Sequence, residues 1–133
     1  MPERETLQRA MNKKRRGKKP STQAGEFVRE EVHHIREGKH GARSTKQAIA
    51  IGLSKARRAG VNLPPPKKGQ TAERTRAQAK RDYRKGQGRA RHKTAPRRRQ
   101  ATVHALRREG RGAASRQALA RQARQTASRR RAA

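Results

Sequence analysis

Residues 21–63 read STQAGEFVREEVHHIREGKHGARSTKQAIAIGLSKARRAGVNL, and this stretch holds most of the apolar content of the chain. Ala24, Phe27, Val28, Val32 and Ile35 recur at a 3.6-residue period, the spacing of one helix face. Ser21 and Thr22 stand before that pattern as N-cap residues, and Gly38 stands after it, where a C-terminal glycine belongs. A seven-residue connection, GKHGARS, follows. Ser44 then caps a second helix in which Ala48, Ile49, Gly52, Leu53 and Ala56 share a face, with Lys46, Lys55, Arg57 and Arg58 off it. Gly60 is the expected glycine beyond its end, with Val61 folding back on the helix. Two amphipathic helices joined by a short loop predict an antiparallel helical hairpin. Gly52 would let the two helices approach closely, although glycine weakens a helix by about 1 kcal/mol relative to alanine.

The hairpin is small. Between residues 21 and 63 the side chains larger than alanine are Phe27, Val28, Val32, Ile35, Ile49, Ile51, Leu53, Val61 and Leu63. A core of that size needs help. Three sources are available: the N-terminal arm through Leu7 and Met11, self-association, or bound nucleic acid. Glu31 falls among the apolar positions of the first helix and, if buried, needs a partner such as Arg43 or Lys55. Glu26, Glu30 and Glu37 lie away from that face, where they can pair with the arm, the tail or a neighbouring molecule.

Around the hairpin the composition changes. Residues 1–20 form a basic arm, 64–70 (PPPKKGQ) a proline linker, and 71–133 an Arg-, Ala- and Gln-rich basic tail. Gly86, Gly88, Pro96, Gly110 and Gly112 cut the tail into pieces near 71–85, 97–109 and 113–130. Each piece favours helix by propensity but lacks an apolar stripe, so partly disordered or isolated helices are expected. The fold class is mainly α.

Charge bounds the function. The 133 residues carry 39 Lys and Arg against 9 Asp and Glu, a net charge of +30. Residues 1–66 hold 16 basic and 6 acidic side chains, and residues 67–133 hold 23 and 3. Solubility alone asks for a net charge of about 2–8 in a small domain, so a polyanion is the expected partner. The basic runs 13–19, 96–100 and 128–133 suit phosphate neutralisation, which supplies affinity without base choice. The candidate nucleic-acid-binding residues are Lys13, Lys14, Arg15, Arg16, Lys18 and Lys19 of the arm. In the hairpin they are Lys39, His40, Arg43, Ser44, Lys46, Lys55, Arg57 and Arg58. In the tail they are Arg97, Arg98, Arg99, Arg129, Arg130 and Arg131. Lys39, His40, Arg43 and Ser44 could cradle a phosphate where the amides of the second helix point outward.

Other chemistries find little support. No cysteine is present, which removes disulfides and thiolate sites. No catalytic motif is recognisable, so the chain is not expected to be an enzyme, and no cofactor is expected. His33, His34, His40, His92 and His104 are read as solvated or phosphate-contacting, because a metal needs them to converge with carboxylates and adjacent His33 and His34 point about 100° apart. With Phe27 and Tyr83 as the aromatic side chains, base stacking is weakly supported. A helix-turn-helix is disfavoured by the long connection. No apolar run approaches the roughly 18 residues of a membrane span, and no secretory signal is seen, so a cytoplasmic protein without membrane attachment is expected.

The string STQAGEFVREEVHHIREGKHGARSTKQAIAIGLSKARRAGVNLPPP at 21–66 resembles a family of small bacterial proteins of unknown function often labelled "DNA-binding protein". The resemblance implies a bacterial cytoplasmic protein and brings no catalytic residue, cofactor or mapped site. The expected function is non-specific or shape-selective DNA binding in a nucleoid-associated or histone-like role. RNA binding, as in a ribosome-associated protein, and an adaptor whose hairpin binds a protein partner are the alternatives. DNA is favoured over RNA.

Overall fold

A computed structural model describes residues 2–88 and 95–132. His92 and the last residue of the 128–133 run lie outside the described residues. The described chain is mainly α: α1 (Arg4–Arg15), α2 (Pro20–Arg36), α3 (Thr45–Arg58), α4 (Glu73–Gln87), α5 (Pro96–Arg107) and α6 (Arg116–Ala132), with a single 3-10 turn at Gly112–Ala114. The described residues fall into two compact units, one drawn from within 1–30 and 51–93 and one from within 31–50 and 94–133.

The helix ends follow local chemistry. Gly17, Gly38 and Gly60 adopt φ of 73°, 80° and 100°, the left-handed region open to glycine. Each closes a Schellman turn. Lys18 N–H donates to the Lys13 carbonyl, Lys39 N–H to that of His34 and Val61 N–H to that of Ala56, at 2.9–3.1 Å. Ser44 Oγ accepts from Gln47 N–H at 3.2 Å and so caps α3. The α2 start differs from expectation. Pro20 opens the helix, and Ser21 and Thr22 lie within its first turn, because proline suits the first helical position by its fixed φ and missing donor.

In the first unit Ala10, Ala24, Phe27, Ala56 and Val61 form the buried core, with Leu53 and Leu63 packed partly buried against it. Phe27 is its largest member, and burying such a side chain contributes about 1.5–3 kcal/mol. Gly52 lies against Val28 so closely that a Cβ there would sit 2.6 Å from Val28 Cα. The arm is a helix, and its inward face is not the expected one. Thr6 and Ala10 are buried, while Leu7 and Met11 are 40% and 55% exposed. Polar contacts set that rotation. Thr6 Oγ1 donates to Glu30 Oε1 at 3.1 Å, and Arg9 and Lys13 reach Glu26 at 2.9 and 2.6 Å.

α4, expected as an isolated helix, is packed in this unit through Ala79 and Asp82, 5% and 2% exposed. Asp82 accepts from Ser54 Oγ of α3 at 2.7 Å and from Gln78 Nε2 at 3.1 Å. Gly86, expected to end the helix, lies inside it. A Cβ there would fall 1.7 Å from the Arg57 carbonyl oxygen, so only glycine fits that approach.

The second unit has its own core: Ile35, Ala42, Ala48 and Ala114 buried, with Val32 and Ala113 alongside. The GKHGARS connection packs inside this unit. Gly41 N–H donates to the Leu106 carbonyl at 2.8 Å and Ala42 N–H to that of Gly110 at 3.0 Å. A Cβ on Gly41 would meet the Glu109 carbonyl oxygen at 2.0 Å. Arg36 Nε donates to the Ala114 carbonyl at 2.9 Å and Thr45 Oγ1 to that of Ala113 at 2.6 Å.

Candidate nucleic-acid interface

Four of the nine carboxylates, Glu26, Glu30, Glu31 and Asp82, are buried. Burying a carboxylate costs several kcal/mol unless hydrogen bonds and counter-charges satisfy it. Glu26 is held by Lys13 and Arg9. Burial alone would push its carboxyl up, but hydrogen bonds from Lys13 and Arg9 and their positive charges hold it below the usual carboxylate range. Glu30 accepts from Thr6 Oγ1 and the Glu3 backbone N–H and faces Lys55 Nζ at 3.6 Å. Asp82 faces Arg58 Nε at 3.9 Å in addition to its hydrogen bonds. Glu31 meets His40 Nε2 at 3.0 Å, a partner that the sequence reading, which named Arg43 or Lys55, did not include.

This internal use divides the candidate residues. Lys13, Lys55 and Arg58 face buried carboxylates. Arg57, placed by the sequence on the solvent side, is 8% exposed. Its guanidinium donates at 3.3 Å to the carbonyls of Leu63 and Pro64 and ties the proline segment to α3. Desolvation lowers its pKa and the nearby Asp82 raises it, with desolvation the larger effect. Lys14, Arg15, Arg16, Lys18, Lys19, Lys39, Arg43, Lys46, Arg97, Arg98, Arg99, Arg129, Arg130 and Arg131 are exposed.

Three of the four candidate cradle side chains, Lys39, His40 and Ser44, have partners within the chain. His40 is turned to Glu31, with Nδ1 at 2.8 Å from the Gly41 carbonyl oxygen. Lys39 Nζ lies 3.5 Å from Glu37. Ser44 Oγ is engaged with Gln47 N–H, and Gln47 Oε1 accepts from Arg43 N–H at 2.6 Å. At the entry to α3, Ser44 thus caps the Gln47 amide and Gln47 holds the Arg43 amide.

The start of α5 is different. Its N-cap, Ala95, offers no side-chain acceptor; no acidic residue lies in its first turn, and Arg97, Arg98 and Arg99 crowd there, all exposed. Three cations at the positive end of a helix dipole repel one another and the dipole. A phosphate placed there would relieve both and meet the uncapped amides. The sequence marked these arginines, but not the uncapped helix start that gives them this setting. It also gave no sign that Glu31, His34 and His40 converge, since the turn at Gly38 brings His40 back toward α2.

Residues 21–68 match a family of unknown function, DUF6496. No curated protein and no solved structure matches the chain. Among the described residues no helix is long and apolar enough to cross a membrane.

Proposed function

We propose that the protein binds DNA without base selectivity, or by shape, through phosphate contacts, in a nucleoid-associated or histone-like role and without catalysis. The observation that carries this reading is the sorting of charge. Four of nine carboxylates are turned inward against hydrogen bonds and cations, while the basic runs at 14–19, 97–99 and 129–131 face outward. Each outward cation that docks on a phosphate releases condensed counterions. The match to a family of unknown function over 21–68 is compatible with this reading and adds no ligand to it. A bacterial cytoplasmic setting, with the nucleoid as the place of action, is part of the same proposal.

The test is fluorescence anisotropy of the full chain against a labelled DNA duplex and an RNA duplex of equal length across a salt series. Six to ten phosphate contacts should lower affinity for DNA by about 10³–10⁵ between 50 and 200 mM salt. A flat salt response overturns the phosphate-driven reading. Tighter binding to RNA at every salt concentration moves the assignment to RNA.

A further inference from the structure

We propose that Glu31, His34 and His40 form a binding site for a divalent cation of the zinc class. The three side chains belong to the second unit, and their candidate ligand atoms all lie within 4.8 Å of one another. Glu31 and His34 stand three residues apart on α2, the spacing that stacks two side chains on one helix face. His40 arrives from the connection, returned by the left-handed turn at Gly38. The two imidazoles are 6.0 Å apart between centroids with planes at 82°, so neither stacks flat on the other. Glu31 is buried, while both histidines are half-buried.

The hydrogen bonds of His40 carry the argument further. Its Nδ1 lies 2.8 Å from the Gly41 carbonyl oxygen, which can only accept, so Nδ1 carries the proton. In the neutral ring Nε2 is then a lone pair aimed at a carboxylate oxygen 3.0 Å away. Two lone pairs at that distance repel. Either a proton on Nε2 or a cation bound by both groups removes the conflict. A backbone carbonyl on Nδ1 with Nε2 on the metal is the usual outer-shell arrangement of a metal-binding histidine. Zinc–nitrogen and zinc–carboxylate bonds of about 2.0–2.2 Å place neighbouring ligand atoms roughly 3–3.5 Å apart in a tetrahedron, close to what this pair already shows. Two nitrogens and one oxygen suit zinc, cobalt, nickel or copper, whereas calcium and magnesium take oxygen ligands. The net charge of +30 opposes any cation, but at 0.1 M salt its reach is screened to about 10 Å. Glu31 supplies the local counter-charge. A bound ion would tie the connection to α2.

The test is titration of the untagged full chain with Zn²⁺ by calorimetry, with Co²⁺ as a spectroscopic substitute. One equivalent should bind, Co²⁺ should give the intense visible spectrum of a low-coordinate ion, and saturating zinc should raise Tm. His34→Ala and His40→Gln should each lose at least about tenfold in affinity, with helicity checked by circular dichroism. His33→Ala, which alters an exposed neighbour, should bind as the parent does. Since Glu31 is buried, the Co²⁺ spectrum of the parent gives an answer independent of any variant. A weak six-coordinate spectrum, no zinc uptake, or equal affinity in the parent and both ligand variants overturns the site and leaves a His40–Glu31 ion pair.

Discussion

Gly52 of α3 lies against Val28 of α2 with no room for a methyl group, since its Cβ would stand 2.6 Å from Val28 Cα and 2.8 Å from Val28 N. Helix propensity alone would reward Gly52→Ala by about 1 kcal/mol. Overpacking against backbone costs about 1–3 kcal/mol, and backbone cannot rotate aside as a side chain does. Gly52→Ala should therefore lower stability. Gly25→Ala in α2, where nothing lies within 4 Å, should raise it by about 0.5–1 kcal/mol. Urea unfolding followed by circular dichroism compares the two, and equal signs would refute the close approach.

Acid should loosen the first unit through Glu26. Its folded pKa is lowered from 4.5 because Lys13 and Arg9 outweigh the cost of burial. A depressed carboxyl stabilises the fold fully above its unfolded pKa, and that contribution is lost as pH falls through the folded value. Stability should therefore decline below about pH 4.5, and Glu26→Gln should be less stable at pH 7 and flatter over the acid range. Thermal melts at several pH values check the sign.

Exposed and buried arginines should separate by readout. Replacing Arg97, Arg98 and Arg99 with Gln should leave Tm nearly unchanged and make the salt slope of DNA binding shallower by up to about 2.7, near 0.9 per lost phosphate contact. Arg57→Ala removes two hydrogen bonds made by a charged group to the Leu63 and Pro64 carbonyls. It should cost roughly 2 kcal/mol or more of stability and leave the slope unchanged where the protein stays folded. A changed slope in the Arg57 variant, with an unchanged one in the triple variant, would invert the division.

Asp82 joins α4 to α3 through Ser54. Asp82→Ala leaves the half-buried Ser54 hydroxyl without this acceptor, at about 1–3 kcal/mol, whereas the exposed Gln78 amide can turn to water. Amide exchange should speed up along Glu73–Gln87 ahead of α2 if that tie holds the helix.

The mainly α class and several helix ends were legible because they follow from local rules: Gly38 and Gly60 at C-termini, Ser44 at an N-terminus, and Pro96 as a break next to the start of α5. The packing of α1 and α4 was not legible. Both helices bury small or polar residues, Thr6, Ala10, Ala79 and Asp82, and an apolar-stripe reading passes over them. It favoured Leu7 and Met11, which the Glu26 and Glu30 contacts rotate outward. Arg57 was misplaced for a related reason, since its buried partners are backbone carbonyls that no side-chain pattern reveals. Of the candidate interface, the exposed arginines were legible from charge alone. The contacts of His40 with Glu31 and of Gln47 with the Arg43 amide were not, because these partners lie across turns.

The inward carboxylates have a consequence for how the protein responds to its medium. Added electrolyte screens exposed charges strongly and enclosed pairs much less. Contacts made by Arg97–Arg99 or Arg129–Arg131 would therefore fade over a concentration range in which Glu26, Glu30 and Asp82 keep their partners. Grip and architecture respond to different parts of the same ionic scale, so a cation-rich molecule of this kind can let go of a polyanion without coming apart.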